Sequence, residues 1–264
     1  MSVLEFIKAD GVATLVMSRP SCKNALNADM RDAMLDSLAD IRHDPGIRAV
    51  LLTGAGDDFC AGGDVGNMSR AEGDAADARS RMAESNRIPV ALAELERPVI
   101  AAVDGVAYGA GFSLALAADF IVASERARFC MAFARIGAVP DLGATFALPR
   151  VVGLQKAKEL IYTAREISAD EALTLGIALE VVPLADFRAR ATELAYAMAN
   201  MSPGAYSMTK HLLTHSLSNT LDSQLDEEAN SQAIAMASAY FKDATARFMR
   251  KEPLQYRWPQ PLKA

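Results

Sequence analysis

The run Val99-Ile100-Ala101-Ala102-Val103 contains no polar side chain and stops at Asp104-Gly105. A strand that is apolar on both faces must be covered on both faces, which favours a sheet enclosed between packed layers. Ala49-Val50-Leu51-Leu52-Thr53, stopped by Gly54 and Gly56, repeats the pattern, and Phe120-Ile121-Val122-Ala123 supplies a third run. Helical spacing fills the intervals. Asn27 is placed to cap a helix reaching about Asp44, with Met30, Met34, Leu38 and Ile41 on one face. This alternation predicts crossover connections and a largely parallel sheet in an α/β domain. Ahead of it, Leu4–Ile7 and Val12–Val16 flank Asp10-Gly11 and predict a hairpin. The stretch Met68–Ser80 reads equally as a loop or as the start of a helix. From Ser168 onward the pattern turns mainly helical. Ser168 with Glu171 forms a capping-box signature, Gly176 is a stop, and helices are predicted over 187–201, 204–216 and 220–241. Phe187, Ala191, Leu194 and Met198 mark an amphipathic face there, read as a surface for assembly.

Composition narrows the function classes. Of 264 residues, 51% are hydrophobic and 23% charged, so the chain can build a core without metal or disulfide staples. The net charge of −6 argues against a dedicated nucleic-acid partner. Cys22, Cys60 and Cys130 are odd in number and form no C-x-x-C pair, which predicts reduced thiols and a cytoplasmic location. No apolar run approaches the ~20 residues that cross a bilayer, and residues 1–5 carry no basic, apolar signal pattern. No membrane association is expected.

Two glycine-rich segments carry the chemistry. Phe59-Cys60-Ala61-Gly62-Gly63-Asp64-Val65 follows a strand, and its small residues let a ligand approach backbone N–H groups. The alternative is a plain turn in which Asp64 caps the next helix. Gly105-Val106-Ala107-Tyr108-Gly109-Ala110-Gly111-Phe112-Ser113-Leu114 then leads from a strand into an apolar helix. As a dinucleotide loop it fails, because Leu114 stands where G-x-G-x-x-G needs its last glycine. As a nucleophile elbow around Ser113 it ends in Ala115 rather than glycine. A third reading joins the two turns into an oxyanion site with two backbone donors.

Ala61-Gly62-Gly63-Asp64, followed by Arg97-Pro98 and the whole segment 99–111, closely resembles the crotonase family of enoyl-CoA hydratases and isomerases. Arg19-Pro20 with Lys23-Asn24-Ala25-Leu26 resembles that family's N-terminal CoA-side motif. Ile136–Ala144, Leu148-Pro149-Arg150, Ala172–Ala178 and Val181-Val182-Pro183 extend the resemblance from about residue 3 to residue 252. It implies a spiral of ββα repeats over 1–200. It also implies a helical C-terminal region over 201–264 that makes a homotrimer or a dimer of trimers. The implied oxyanion donors are the N–H groups of Gly63 and Ala110. Many relatives have glycine at the second position, and Ala110 serves equally if its φ is negative.

The same resemblance bears on the reaction. Hydratases place two glutamates around one water, and this chain has Ser113 and Phe133 at those positions. Asp141 stands at the acidic position that several isomerases use as proton shuttle. Gly137-Ala138-Val139-Pro140-Asp141 most resembles the ring-1,2-epoxyphenylacetyl-CoA isomerase subgroup, which also shifts Δ3 double bonds to Δ2. On its own sequence context Asp141 reads as a helix N-cap. For an acyl-CoA substrate, Arg19 and Lys23 are candidate phosphate partners. Ala25, Ala61, Asp64, Val65 and Phe133 are candidate contacts, and Phe241 and Lys251 would come from a neighbouring subunit. No metal and no cofactor beyond the substrate's own CoA is expected. His211 and His215 share a helix face but lack the Glu of H-E-x-x-H. The expectation is therefore an enoyl-CoA isomerase with Asp141 as base and Ser113 a bystander facing the pocket. The alternatives are a hydratase-like member, a serine hydrolase using Ser113 with His211 or His215, and a non-catalytic acyl-CoA-binding subunit.

Overall fold

The computed structural model describes residues 2–70 and 72–260. Met1 and 261–264, assigned to the core and the helical region by the sequence reading, lie outside the described residues, as does Ala71 in the Met68–Ser80 stretch.

The chain opens with β1 (Leu4–Ala9) and β2 (Val12–Met17), then α1 (Ala28–His43) and β3 (Ala49–Gly54). Three helices follow, α2 (Val65–Arg70), α3 (Ala75–Ser85) and α4 (Arg87–Ala93), before β4 (Val99–Val103) and β5 (Val106–Tyr108). Next come α5 (Ala110–Leu116), β6 (Phe120–Ser124), β7 (Arg128–Cys130), α6 (Ala144–Val152) and α7 (Leu154–Thr163). The last strands, β8 (Glu166–Ser168) and β9 (Glu180–Val182), enclose α8 (Ala169–Thr174). The chain ends in α9 (Leu184–Ala199), α10 (Pro203–His215), α11 (Leu221–Ala237) and α12 (Ala239–Arg250).

The hairpin forms as expected: Asp10 (φ 48°) and Gly11 (φ 82°) make a left-handed turn, and Leu4 pairs with Met17. From β2 on, the main sheet is parallel, in the order β1-β2-β3-β4-β6-β9. The strand or short extended segment that follows each of its inner strands joins a second layer. There Cys60 bridges Ala107 of β5, β5 pairs with β7, and β7 with β8. This repeated strand–strand–helix winding is the ββα spiral.

The uniformly apolar runs have a physical reason. Val50, Leu52, Val99, Ala101 and Val103 face the main core, while Ala49, Leu51, Ile100 and Ala102 face a second cluster under α9. That second cluster contains Phe187, Ala191, Leu194 and Met198. The face read as an assembly surface is thus buried within the chain, because the parallel sheet needs a cover on that side. In α10, α11 and α12, by contrast, no described residue is buried, and Leu213, Leu221, Phe248 and Met249 are exposed.

Two local readings are corrected and a third, left open, is resolved. The helix predicted over 220–241 breaks at Ser238, whose extended backbone (ψ 153°) ends α11 and whose Oγ accepts from the Phe241 N–H to cap α12. The box at Ser168 is half formed. Ser168 Oγ accepts from the Glu171 N–H at 3.2 Å, but the Glu171 carboxylate turns to Arg165 instead. The Met68–Ser80 stretch is helical on both sides, with Asp74 and Asp77 closing a reciprocal capping box on α3.

Candidate active site

The two glycine-rich segments are held edge to edge by main-chain hydrogen bonds. The Cys60 N–H donates to Val106 O and the Tyr108 N–H to Cys60 O, both at 2.9 Å. Glycine is obligatory at this seam. A Cβ on Gly111 would stand 2.2 Å from Cys60 O, and one on Gly62 (φ 105°) 2.8 Å from Tyr108 O. The turn is completed by Gly109, at φ 49° and ψ −121°.

This packing leaves two N–H groups aimed away from the protein. Gly63 bridges Leu26 in parallel fashion: the Leu26 N–H donates to Gly62 O at 2.7 Å and the Asp64 N–H to Leu26 O at 2.8 Å. The Gly63 N–H therefore points to the opposite side and meets no acceptor among the described residues. Ala110 is the first residue of α5, where helix geometry provides no partner for its N–H, and its φ is not positive.

Gly63, Ala110 and Asp141 line both of two adjoining cavities. One, of about 500 Å³, is walled by Ala61, Val65, Phe133, Ile136, Val139 and Pro140, with Arg135 at its edge. The other, of about 200 Å³, is lined by more polar side chains, namely Asn27, Arg31, Asp64, Asn67 and Arg81. Met68 and Met82 border both.

Asp141 does not cap a helix. α6 begins three residues later, its N-cap position is Gly143, and no side chain caps it. Two left-handed residues, Leu142 (φ 49°) and Gly143 (φ 80°), follow Asp141. Leucine in this region is strained, a feature that concentrates at functional sites. Asp141 Oδ1 is buried with no hydrogen-bond partner. Burial pushes the carboxyl up to about 6, with only its own backbone N–H pulling the other way.

Asp64 is the opposite case. Its Oδ2 accepts from Arg19 Nη2 at 2.8 Å and its Oδ1 from the Asn67 N–H at 3.1 Å, which hold it below the usual carboxylate range. Arg19 also donates to the Ala25 carbonyl and lines neither cavity. Its reading as a phosphate partner is therefore replaced by one as an internal brace. Lys23, largely exposed, pairs with Asp58 at 3.3 Å. Phe241 and Lys251 lie on and just after α12 and line neither cavity of this chain. Ser113 does not face the pocket. It is buried, and its hydroxyl donates to Gly109 O at 3.2 Å, with no imidazole bonded to it. The rings of His211 and His215 lie tilted to each other with centroids 4.6 Å apart, and both line a separate cavity of about 750 Å³. Among the described residues no cluster of three or more His, Cys, Asp or Glu is placed to hold a metal.

Sequence reasoning missed Asn24, Arg31 and Arg81. Fully buried Asn24 (φ 56°) donates to Ala55 O and Asp58 O and accepts from the Arg19 N–H. Its place in the Lys23-Asn24-Ala25-Leu26 motif was a signal, but one that assigned it no role of its own. Arg31, one turn into α1, had none beyond its distance from the capping Asn27.

The fold class these features define is that of the crotonases. A solved enoyl-CoA hydratase/isomerase from Cupriavidus metallidurans CH34 superposes with a TM-score of 0.94 at 38% identity, over 98% of both chains. The sequence model described as enoyl-CoA hydratase/isomerase matches residues 8–260. The chain belongs to this enzyme family. It is similar to the 1,2-epoxyphenylacetyl-CoA isomerase of Escherichia coli (strain K12), at 36% identity over 96% of this chain and 99% of that one. It is also similar to the short-chain-enoyl-CoA hydratase of Clostridium acetobutylicum, at 34% identity over 94% and 95%. Its relatives thus carry both isomerase and hydratase names.

Proposed function

We propose that this enzyme moves a C=C double bond in an unsaturated acyl-CoA, from the 3,4 to the 2,3 position, using Asp141 as a single shuttling base. The observation that carries this reading is a buried carboxyl oxygen, Asp141 Oδ1, with no hydrogen-bond partner, in a cavity that also contains the free N–H groups of Gly63 and Ala110. The thioester oxygen accepts from those two donors. Asp141 takes a proton from the α-carbon, the charge spreads into a dienolate held by the donors, and Asp141 returns the proton at the γ-carbon. A carboxyl raised to about 6 is a stronger base than a free one and is still ionised near neutral pH.

Hydration needs a second group to activate water. Among the described residues the other carboxylate lining the cavities is Asp64, which Arg19 holds ionised. Ser113 is sealed and Phe133 is apolar. The hydratase reading is kept by the names of relatives such as the Clostridium enzyme. Asn27, Arg31 and Arg81 suit the polyanionic CoA end, and the apolar lobe suits the acyl chain. The substrate's CoA is the only cofactor the reaction needs. The thiols of Cys22, Cys60 and Cys130 are free, in keeping with a reducing cytoplasm.

The deciding experiment follows the absorbance of the conjugated thioester. Its appearance from 3-enoyl-CoA supports the isomerase, its loss from crotonyl-CoA supports a hydratase, and neither change points to a binding subunit. We also infer a homotrimer or dimer of trimers closed by α10–α12, whose exposed apolar side chains, such as Leu213, Leu221, Phe248 and Met249, find no cover among the described residues. Sedimentation equilibrium is expected to give three or six copies at micromolar concentration, and a stable monomer would remove this reading.

A further inference from the structure

Each candidate oxyanion donor belongs to a peptide unit made by a glycine, and glycine peptides rotate freely unless something fixes their plane. In both units the fixing bond falls on the carbonyl. Gly62 O accepts from the Leu26 N–H at 2.7 Å, and the amide of that same unit is the Gly63 N–H. The Leu26 N–H in turn belongs to a unit whose carbonyl, Ala25 O, accepts from Arg19 Nη1. The chain of bonds therefore runs from the Arg19 guanidinium through the Ala25–Leu26 peptide and the Gly62–Gly63 peptide to the cavity. On the other side, Gly109 O accepts from the Ser113 hydroxyl at 3.2 Å and the Ser113 N–H at 3.0 Å, and the amide of that unit is the Ala110 N–H.

We infer that Arg19 and Ser113 are positioning residues for the reaction, each aiming and polarising one oxyanion N–H through the peptide unit behind it. The inference rests on the oxyanion reading of Gly63 and Ala110. A donor bound to a carbonyl strengthens the N–H of the same peptide, by about 10–30% per bond in a chain. Arg19 starts its chain with a charge-assisted bond, the stronger kind. Asp64 holds the guanidinium in place through Nη2, leaving Nη1 for Ala25. The Ser113 hydroxyl acts on its peptide directly but carries no charge, so its effect is the smaller.

The test uses a saturated acyl-CoA labelled with ¹³C at the thioester carbonyl, bound to the full-length protein and read by difference infrared spectroscopy. In the wild type the bound stretch falls below that of the free thioester. Arg19→Met is expected to lose a clear part of that shift. It should lower kcat on 3-enoyl-CoA about tenfold, less than the 10²–10³ for deleting a donor, with KM little changed. Arg19→Lys should recover part of both effects, and Ser113→Ala should lower kcat about threefold, the weight of a weaker neutral bond. An Arg19→Met protein that binds the thioester with an unaltered carbonyl shift overturns the inference. So does a raised KM with kcat untouched, which would make Arg19 a phosphate partner. Should Arg19→Met not fold, an unaltered shift in both Arg19→Lys and Ser113→Ala overturns it equally. The carbonyl shift needs no turnover, so a failed isomerase reading would show separately, as absent conversion with the shift intact.

Discussion

The wall that carries Asp141 and the wall that carries Asp64 meet at the same two N–H groups, yet they give a carboxylate opposite properties. On the first, Phe133, Ile136 and Pro140 supply no donor, Oδ1 is orphaned, and burial raises the carboxyl to about 6. On the second, Arg19 and the Asn67 N–H satisfy Asp64 and lower it. An unsatisfied acid is costly to the fold and useful as a base; a satisfied one is the reverse. The residue type alone would not have distinguished them.

The largest consequence is for activity. Asp141→Asn keeps the shape and removes the base, so conversion of 3-enoyl-CoA should fall by roughly 10²–10⁴, the weight of a positioned general base. Affinity for CoA should stay near wild type, because the substitution leaves Asn27, Arg31 and Arg81 in place. Turnover within a few fold of wild type would reduce Asp141 to a loop residue without a catalytic role and erase the contrast with Asp64.

Much of this contrast was legible beforehand and part of it was not. The apolar runs at 49–53 and 99–103 announced a parallel sheet because their periodicity is local. The glycines at 62, 109 and 111 announced a close backbone approach. That Asp141 is no cap depended on Leu142 adopting a left-handed conformation that leucine disfavours, which no propensity anticipates. Arg19 was read as a phosphate partner because its actual partners, Ala25 O and Asp64, are set by the spiral's closure. The Phe187–Met198 face was read correctly as amphipathic and wrongly as intermolecular. Periodicity says that a face is buried, not against what.

A second, smaller effect concerns pH. The base must be ionised, and its folded value is about 6. The rate should therefore be flat above about pH 7 and fall about tenfold per unit below pH 6, as expected when one essential base protonates. In Asp64→Asn the midpoint should stay near 6, since Asp64 does not enter the forces acting on Asp141. A midpoint near 4 in the wild type would mean that Asp141 is solvated during catalysis and that the apolar wall does not tune it.

The smallest effect is on stability, and its sign separates the two walls. Asp141 binds its proton more tightly folded, near 6, than unfolded, near 3.8. Between those values the folded state holds more protons, so stability falls as pH rises through the window and stays low above it. Asp141→Asn should then be more stable than wild type at pH 8, by about 1–2 kcal/mol once residual solvent screening is allowed for. That gain should shrink as pH drops towards 5. Asp64 is lowered on folding, so its contribution is present above the ordinary carboxylate range and lost only as pH falls through its lowered value. Asp64→Asn should therefore be less stable than wild type at pH 8, with Arg19 left half-buried and unpaired. Denaturant midpoints of the three proteins at pH 8 and pH 5.5 check both signs. If the two substitutions shift the midpoint in the same direction at pH 8, the two carboxylates do not differ in the way their surroundings require.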